Sequence, residues 1–205
     1  MNRSPTTDAD RVLQLARRAG ILRVRDVIAQ QLHPENLRRL CDRGLLTRIG
    51  RGLYAPAEAT PTEQRTLAEA CKIVPHGVVC LLSALQFHGL TTQLPFEIWL
   101  AVDRAVDRRT RRRDWPPLHL VRSSGTAFTT DIQEQRVEGV LVRVYGPAKT
   151  VADCFKYRGK IGLDVALEAL RYCRRERKAT MDELWQAARV CRVANVMRPY
   201  LESLT

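Results

Sequence analysis

Between Pro34 and Gly44 the chain carries Arg38, Arg39 and Arg43 together with Glu35 and Asn36, a set of side chains able to read base pairs. Arginine can donate two hydrogen bonds to guanine O6 and N7, asparagine can pair in the same bidentate way with adenine N6 and N7, and a carboxylate can accept from cytosine N4. Arg39, Asn36 and Glu35 are therefore the candidate base contacts. Arg48 and Arg51 follow in LTRIGRGLY, where cations can meet phosphate or a minor groove, and Arg23 and Arg25 precede, placed for contact with a nucleic-acid backbone. Any one of these arginines could be a plain solvated charge. As a set they stand out, because residues 1–57 hold 11 Lys+Arg against 5 Asp+Glu.

The elements that must position these residues can be read from spacing. Pro34 suits a first helical turn and Gly44 the left-handed residue that closes one. Leu37, Leu40 and Cys41 then share one side of the intervening helix, and the polar residues take the others. After Gly44 a β-prone run over 45–49 can return through Leu53-Tyr54, turning at Gly50-Arg51-Gly52. Two helices are expected before it, over 8–19 and 24–31, with Val12, Leu15, Ala16 and Ala19 on one stripe and Val24, Val27 and Ile28 on the other. Three short helices and a basic flap predict a winged helix-turn-helix over residues 1–57.

The stretch APAEATPTEQ, at 55–64, reads as a connector. Beyond it helices are expected over 63–74 and 78–88 and strands over 96–102, 118–122, 126–132 and 140–145. Helices follow through 157 and over 163–175, 181–191 and 193–201. The fold class is α+β: an N-terminal winged helix-turn-helix, then a mixed α/β C-terminal domain over 58–205 with a helical tail.

The 205 residues, 45% of them hydrophobic, can supply a real core, and the net charge of +12 favours polyanionic partners. No apolar run approaches the roughly 20 residues of a membrane span and no leader pattern opens the chain, so a cytoplasmic location is expected and no membrane partner. The six cysteines show no C-x-x-C pairing and no histidine at ligand spacing, so they are expected to be reduced thiols, with no metal and no cofactor. Catalysis is not expected. His33, His76, His88 and His119 lack a nucleophile pattern, and His88, before Gly89, reads as structural. Asp153 and Lys156 suit an ion pair on a helix, and Lys149 suits the surface of a helix start. No phosphate-binding glycine loop is present. Two further basic clusters could extend a phosphate footprint: RAVDRRTRRR, with Arg108, Arg109, Arg111, Arg112 and Arg113, and RYCRRERK, with Arg174 and Arg175.

The segment GLLTRIGRGLYAP, the helix LLSALQFHGL, the strand FEIWLAV and the run VRVYGPAKTVADCFKYR, taken together, resemble the AbiEi-type antitoxins of abortive-infection AbiE systems, the type IV toxin–antitoxin class. That resemblance covers nearly the full length. It implies a DNA-binding repressor that autoregulates its operon by holding double-stranded operator DNA at inverted repeats. It also implies a phage-defence role in which a nucleotidyltransferase-like toxin is neutralised without a tight complex. Other readings remain open from the residues alone: a winged-helix regulator whose second domain senses a ligand, a metal-dependent nuclease, or a protein-interaction module.

Overall fold

The structure is a computed structural model, described here for residues 7–60, 62, 64–104 and 116–204. Two compact units emerge, one of residues 1–75 with 136–142 and one of 76–135 with 143–205. The expected division after residue 57 therefore moves, and the first helix beyond the connector joins the N-terminal unit.

The first unit runs α1 (Asp8–Ala19), β1 (Leu22–Arg23), α2 (Val24–Ala29), α3 (Glu35–Asp42), β2 (Leu46–Gly50), β3 (Leu53–Pro56) and α4 (Arg65–Ile73). Thr7 and Asp10 form a reciprocal capping box that starts α1. The strands make a three-stranded antiparallel sheet in the order β1-β3-β2. Strand β1 was not expected; it is too short to show a period, and only its pairing of Leu22 with Tyr54 and Arg23 with Leu53 makes it a strand. Val12, Ala16, Leu22, Val27, Leu32, Leu37, Leu40 and Leu46 bury together as one core, which is the apolar underside that the helical spacing requires.

Residues 136–142 supply a hairpin tip to this unit. Glu138 and Gly139 both have positive φ, 48° and 78°, the signature of a primed two-residue turn. A Cβ on Gly139 would lie 2.8 Å from the Gly20 amide nitrogen, and one on Gly20 only 1.6 Å from the Glu138 carbonyl oxygen. Two backbones meet here with no room for side chains. Glu138 also accepts from the Thr62 backbone N–H at 2.6 Å and stands 3.6 Å from the Arg65 guanidinium.

The second unit is built on β4 (Val78–Val79), β5 (Ile98–Asp103), β6 (Leu118–Ser123), β7 (Ile132–Val137) and β8 (Val140–Tyr145), in a sheet of order β6-β5-β4-β8-β7. The sheet is mixed: β4 is antiparallel to β5 and parallel to β8, and β5 is parallel to β6. Helices α5 (Leu81–His88), α6 (Thr126–Thr129), α7 (Pro147–Lys156), α8 (Arg158–Ile161), α9 (Leu163–Arg175), α10 (Met181–Val190) and α11 (Ala194–Glu202) complete it. One large core joins Val78, Trp99, Ala101, Val121 and Tyr145 of the sheet to Val151, Phe155, Ala169, Leu184 and Met197 of the helices.

Two local expectations fail. Val78-Val79 is the middle strand of the sheet and not the start of a helix, because both residues pair with β5 while Val79 also pairs with Val144. The strand expected over 126–132 does not form; only Ile132 is extended, as the first residue of β7. Gly125, at φ 61°, opens the short helix α6, and the chain reverses through Asp131, at φ 54°, before β7 begins.

Candidate DNA-binding surface

Helix α3 buries Leu37 and Leu40 and leaves Arg38, Arg39, Asp42 and Arg43 exposed. Its C-terminus closes as expected: Leu45 N–H donates to the Leu40 carbonyl at 2.9 Å, with Gly44 at φ 68°. Arg38 lies 3.8 Å from both Glu35 and Asp42, a solvent-exposed arrangement that constrains it weakly. Arg39 has no carboxylate within ion-pair distance among the described residues. Arg25, on α2, and Arg48 and Arg51, on the β2–β3 flap, are likewise exposed. Arg48 Nε donates to the Gly50 carbonyl at 3.3 Å, across the irregular register between Arg48 and Gly50. Val24 N–H donates to the Gly52 carbonyl at 3.3 Å, which ties the base of the flap to α2.

Two of the residues expected at DNA are used otherwise. Asn36 is 8% exposed, and its Nδ2 donates to the His33 carbonyl at 3.1 Å. It braces the α2–α3 turn and is not aimed at a base. Its place on the i, i+1, i+4 row with Leu37 and Leu40 was the available signal. Arg23 is the second correction. Its guanidinium and backbone N–H grip Asp26 through contacts of 2.7–3.2 Å, and Nη1 donates to the Lys72 carbonyl at 2.8 Å. Lys72 Nζ completes the clasp, 3.1 Å from Asp26. Burial pushes the Asp26 carboxyl up, yet the bonds from Arg23 and Lys72 outweigh it and hold the carboxyl down at about 2. A guanidinium so engaged is a fold clamp and not a phosphate contact. Lys72, remote in sequence, gave no local signal.

In the second unit, Arg175 donates to Glu176 at 2.9 Å and lies 4.4 Å from the Tyr172 ring centroid; Arg174 is half-buried. Arg108, Arg109, Arg111, Arg112 and Arg113 lie outside the described residues. Lys149 is not on the surface. It is 1% exposed, paired with Asp153 on the next turn of α7 and 4.0 Å from the Tyr145 ring centroid. Asp153 therefore takes Lys149, and not Lys156, as its partner, and its other oxygen accepts from the Cys191 thiol at 3.2 Å. The i, i+4 spacing of Lys149 and Asp153 in PAKTVADCF is the signal that would have found the pair. His88 Nε2 meets the Tyr145 carbonyl at 2.7 Å. Burial pushes its imidazole down, so the ring is neutral, with Nε2–H donating to that carbonyl.

The six cysteines are free thiols. Burial raises Cys71 and Cys191 to about 12, and thiols so suppressed are poor nucleophiles. Among the described residues no group of three or more potential ligands could hold a metal ion, and no helix is long and apolar enough to cross a membrane.

A helix order of α1-β1-α2-α3 followed by a two-stranded flap, with cations exposed on α3 and the flap, defines a winged helix-turn-helix nucleic-acid-binding module. Residues 10–57, which span this module, match the family model of the AbiEi antitoxin transcriptional regulators. The match covers this N-terminal segment alone, and it is this segment that is similar to those regulators. No curated protein matches the chain.

Proposed function

We propose that the protein represses its own operon by binding double-stranded operator DNA at inverted repeats. In this reading Arg39 contacts base edges, assisted by Glu35, while Arg25, Arg38, Arg43, Arg48 and Arg51 meet phosphates. The observation that carries it is the exposure of Arg39 on a helix whose opposite side forms the core of the module. Arg174 and Arg175 of α9 add phosphate contacts. The protein acts in the cytoplasm as the antitoxin of a phage-defence pair, neutralising a nucleotidyltransferase-like toxin encoded beside it. The second unit works by binding and not by catalysis, in keeping with a buried lysine and aspartate that neutralise each other and with thiols held protonated.

Footprinting of the full-length protein on its own promoter tests the first part. Protection of paired half-sites about one or two helical turns apart is expected, and uniform coating of unrelated DNA would overturn it. Co-expression with the adjacent gene tests the second. Growth arrest by that gene alone, relieved by this protein, is the expected result; a harmless neighbour would remove the antitoxin pairing.

An effector-sensing role has one supporting feature, a cavity of about 260 Å³ lined by Asp131, Lys178, Glu183 and Gln186 over an apolar floor of Ala148 and Val190. Ligand-dependent thermal stabilisation abolished by Gln186→Leu would establish it, and a flat response to a metabolite panel would dismiss it.

A further inference from the structure

We propose that the second unit holds its own nucleic-acid site, a cationic platform around Tyr157 that takes a single-stranded segment. The run Lys156-Tyr157-Arg158-Gly159-Lys160 crosses the junction of α7 and α8 with three cations and no carboxylate. All three cations are exposed. Lys156 Nζ and Lys160 Nζ stand 5.9 and 5.8 Å from the centroid of the Tyr157 ring. No carboxylate lies within ion-pair distance of Lys156, Arg158 or Lys160 among the described residues. Arg65, Lys72 and Lys149, by contrast, each have one. Burial and Asp153 push the Tyr157 phenol up, and Arg104 pulls the other way.

The platform is held in place. Tyr157 packs against the large core of the unit, and its backbone N–H donates to the Asp153 carbonyl at 2.9 Å. Arg158 Nη1 donates to the Phe155 carbonyl at 2.9 Å, satisfying a carbonyl left over at the end of α7. A half-exposed aromatic ring pinned by the fold and flanked by unpaired cations is the combination that binds single strands: phosphates are met by the cations, and a base lies on the ring. Duplex DNA presents phosphates but keeps its base faces stacked, so it would leave the tyrosine idle. Helix C-termini favour Lys156 and Lys160 singly, but they do not account for both ammonium groups meeting at the same ring.

Fluorescence anisotropy of the full-length protein with labelled oligo(dT) and oligo(U), beside operator duplex, tests the proposal. Wild-type protein is expected to bind at least one of the two strands, with Arg39→Ala leaving that binding intact. Tyr157→Leu, which keeps apolar packing, should weaken single-strand binding by about 5- to 150-fold, with Tyr157→Phe retaining it. Replacing Lys156 and Lys160 by glutamine should lower the salt slope for the single strand by about 1.4, at roughly 0.7 per phosphate. Operator affinity should be unchanged in the Tyr157 and lysine variants, whereas Arg39→Ala weakens it. Binding of neither strand, a Tyr157→Leu protein that binds as wild type does, or a parallel loss of duplex affinity would overturn the proposal. If Tyr157→Leu fails to fold, the surface lysine pair alone decides between these outcomes.

Discussion

Substituting Asp26 by asparagine should expose the clasp that replaced a predicted DNA contact. The carboxyl is held at about 2 against an ordinary 3.8, and at about 1.4 kcal/mol per pH unit that gap corresponds to about 2.5 kcal/mol of folding free energy before screening. Side chains of Arg23 and Asp26 are only 20% and 21% exposed, so solvent screening trims this figure without removing it. The sign follows from the depressed value. The stabilisation is complete above the unfolded carboxyl's value near 4 and is lost as pH falls through 2, with about half of it left at pH 3. Denaturant unfolding of wild type and Asp26→Asn between pH 7 and pH 3 measures it. Wild type is expected to be about 2 kcal/mol more stable at pH 7, and the two should converge as pH falls. A difference that stays constant over this range would show that the bond geometry matters and the charge does not, refuting the reasoning. Arg23→Ala carries the complementary test: it should destabilise the protein while leaving the salt slope of operator binding unchanged, whereas a drop of about 0.9 would return Arg23 to a phosphate.

Arg39→Ala should cost about 1–3 kcal/mol against operator but little against random duplex, and Arg51→Ala should weaken both and lower the salt slope by about 0.9; competition binding separates the two, and equal losses on all sequences from both changes would refute the division of roles. Gly139→Ala should destabilise by more than about 1 kcal/mol, since φ is positive and the new methyl would meet the Gly20 amide; an unchanged melting temperature would contradict the close approach. Asp153→Ala should cost about 3–5 kcal/mol by stranding a buried ammonium, while the double change Lys149→Met with Asp153→Leu should recover most of that loss; unfolding curves that show no recovery would mean the pair does more than neutralise itself.

Local information settled much of the first unit. The helix over 8–19 has the bounds expected from its apolar stripe and Gly20, and α3 and the flap lie where Pro34, Gly44 and Gly52 place them. In the second unit β8 and α9 also carry their expected ranges. Charge told less. Arg23 and Arg39 are the same residue type in similarly basic surroundings, and neither spacing nor composition could say that one would meet an aspartate and a lysine 49 residues away while the other faced solvent.

What the chain determined by itself was periodic and nearest-neighbour: which residues turn, which stripe is apolar, which segment is basic and able to enter a groove. What only tertiary structure decided was the partner of each polar group. Val78-Val79 became a strand because β5 and β8 offered hydrogen bonds on both sides. Asn36 turned inward because the His33 carbonyl was within reach, and Lys149 could be buried because Asp153 shared its burial. A buried donor or charge takes whatever partner the fold brings to it, and that partner is set by three-dimensional closure that no window of sequence contains.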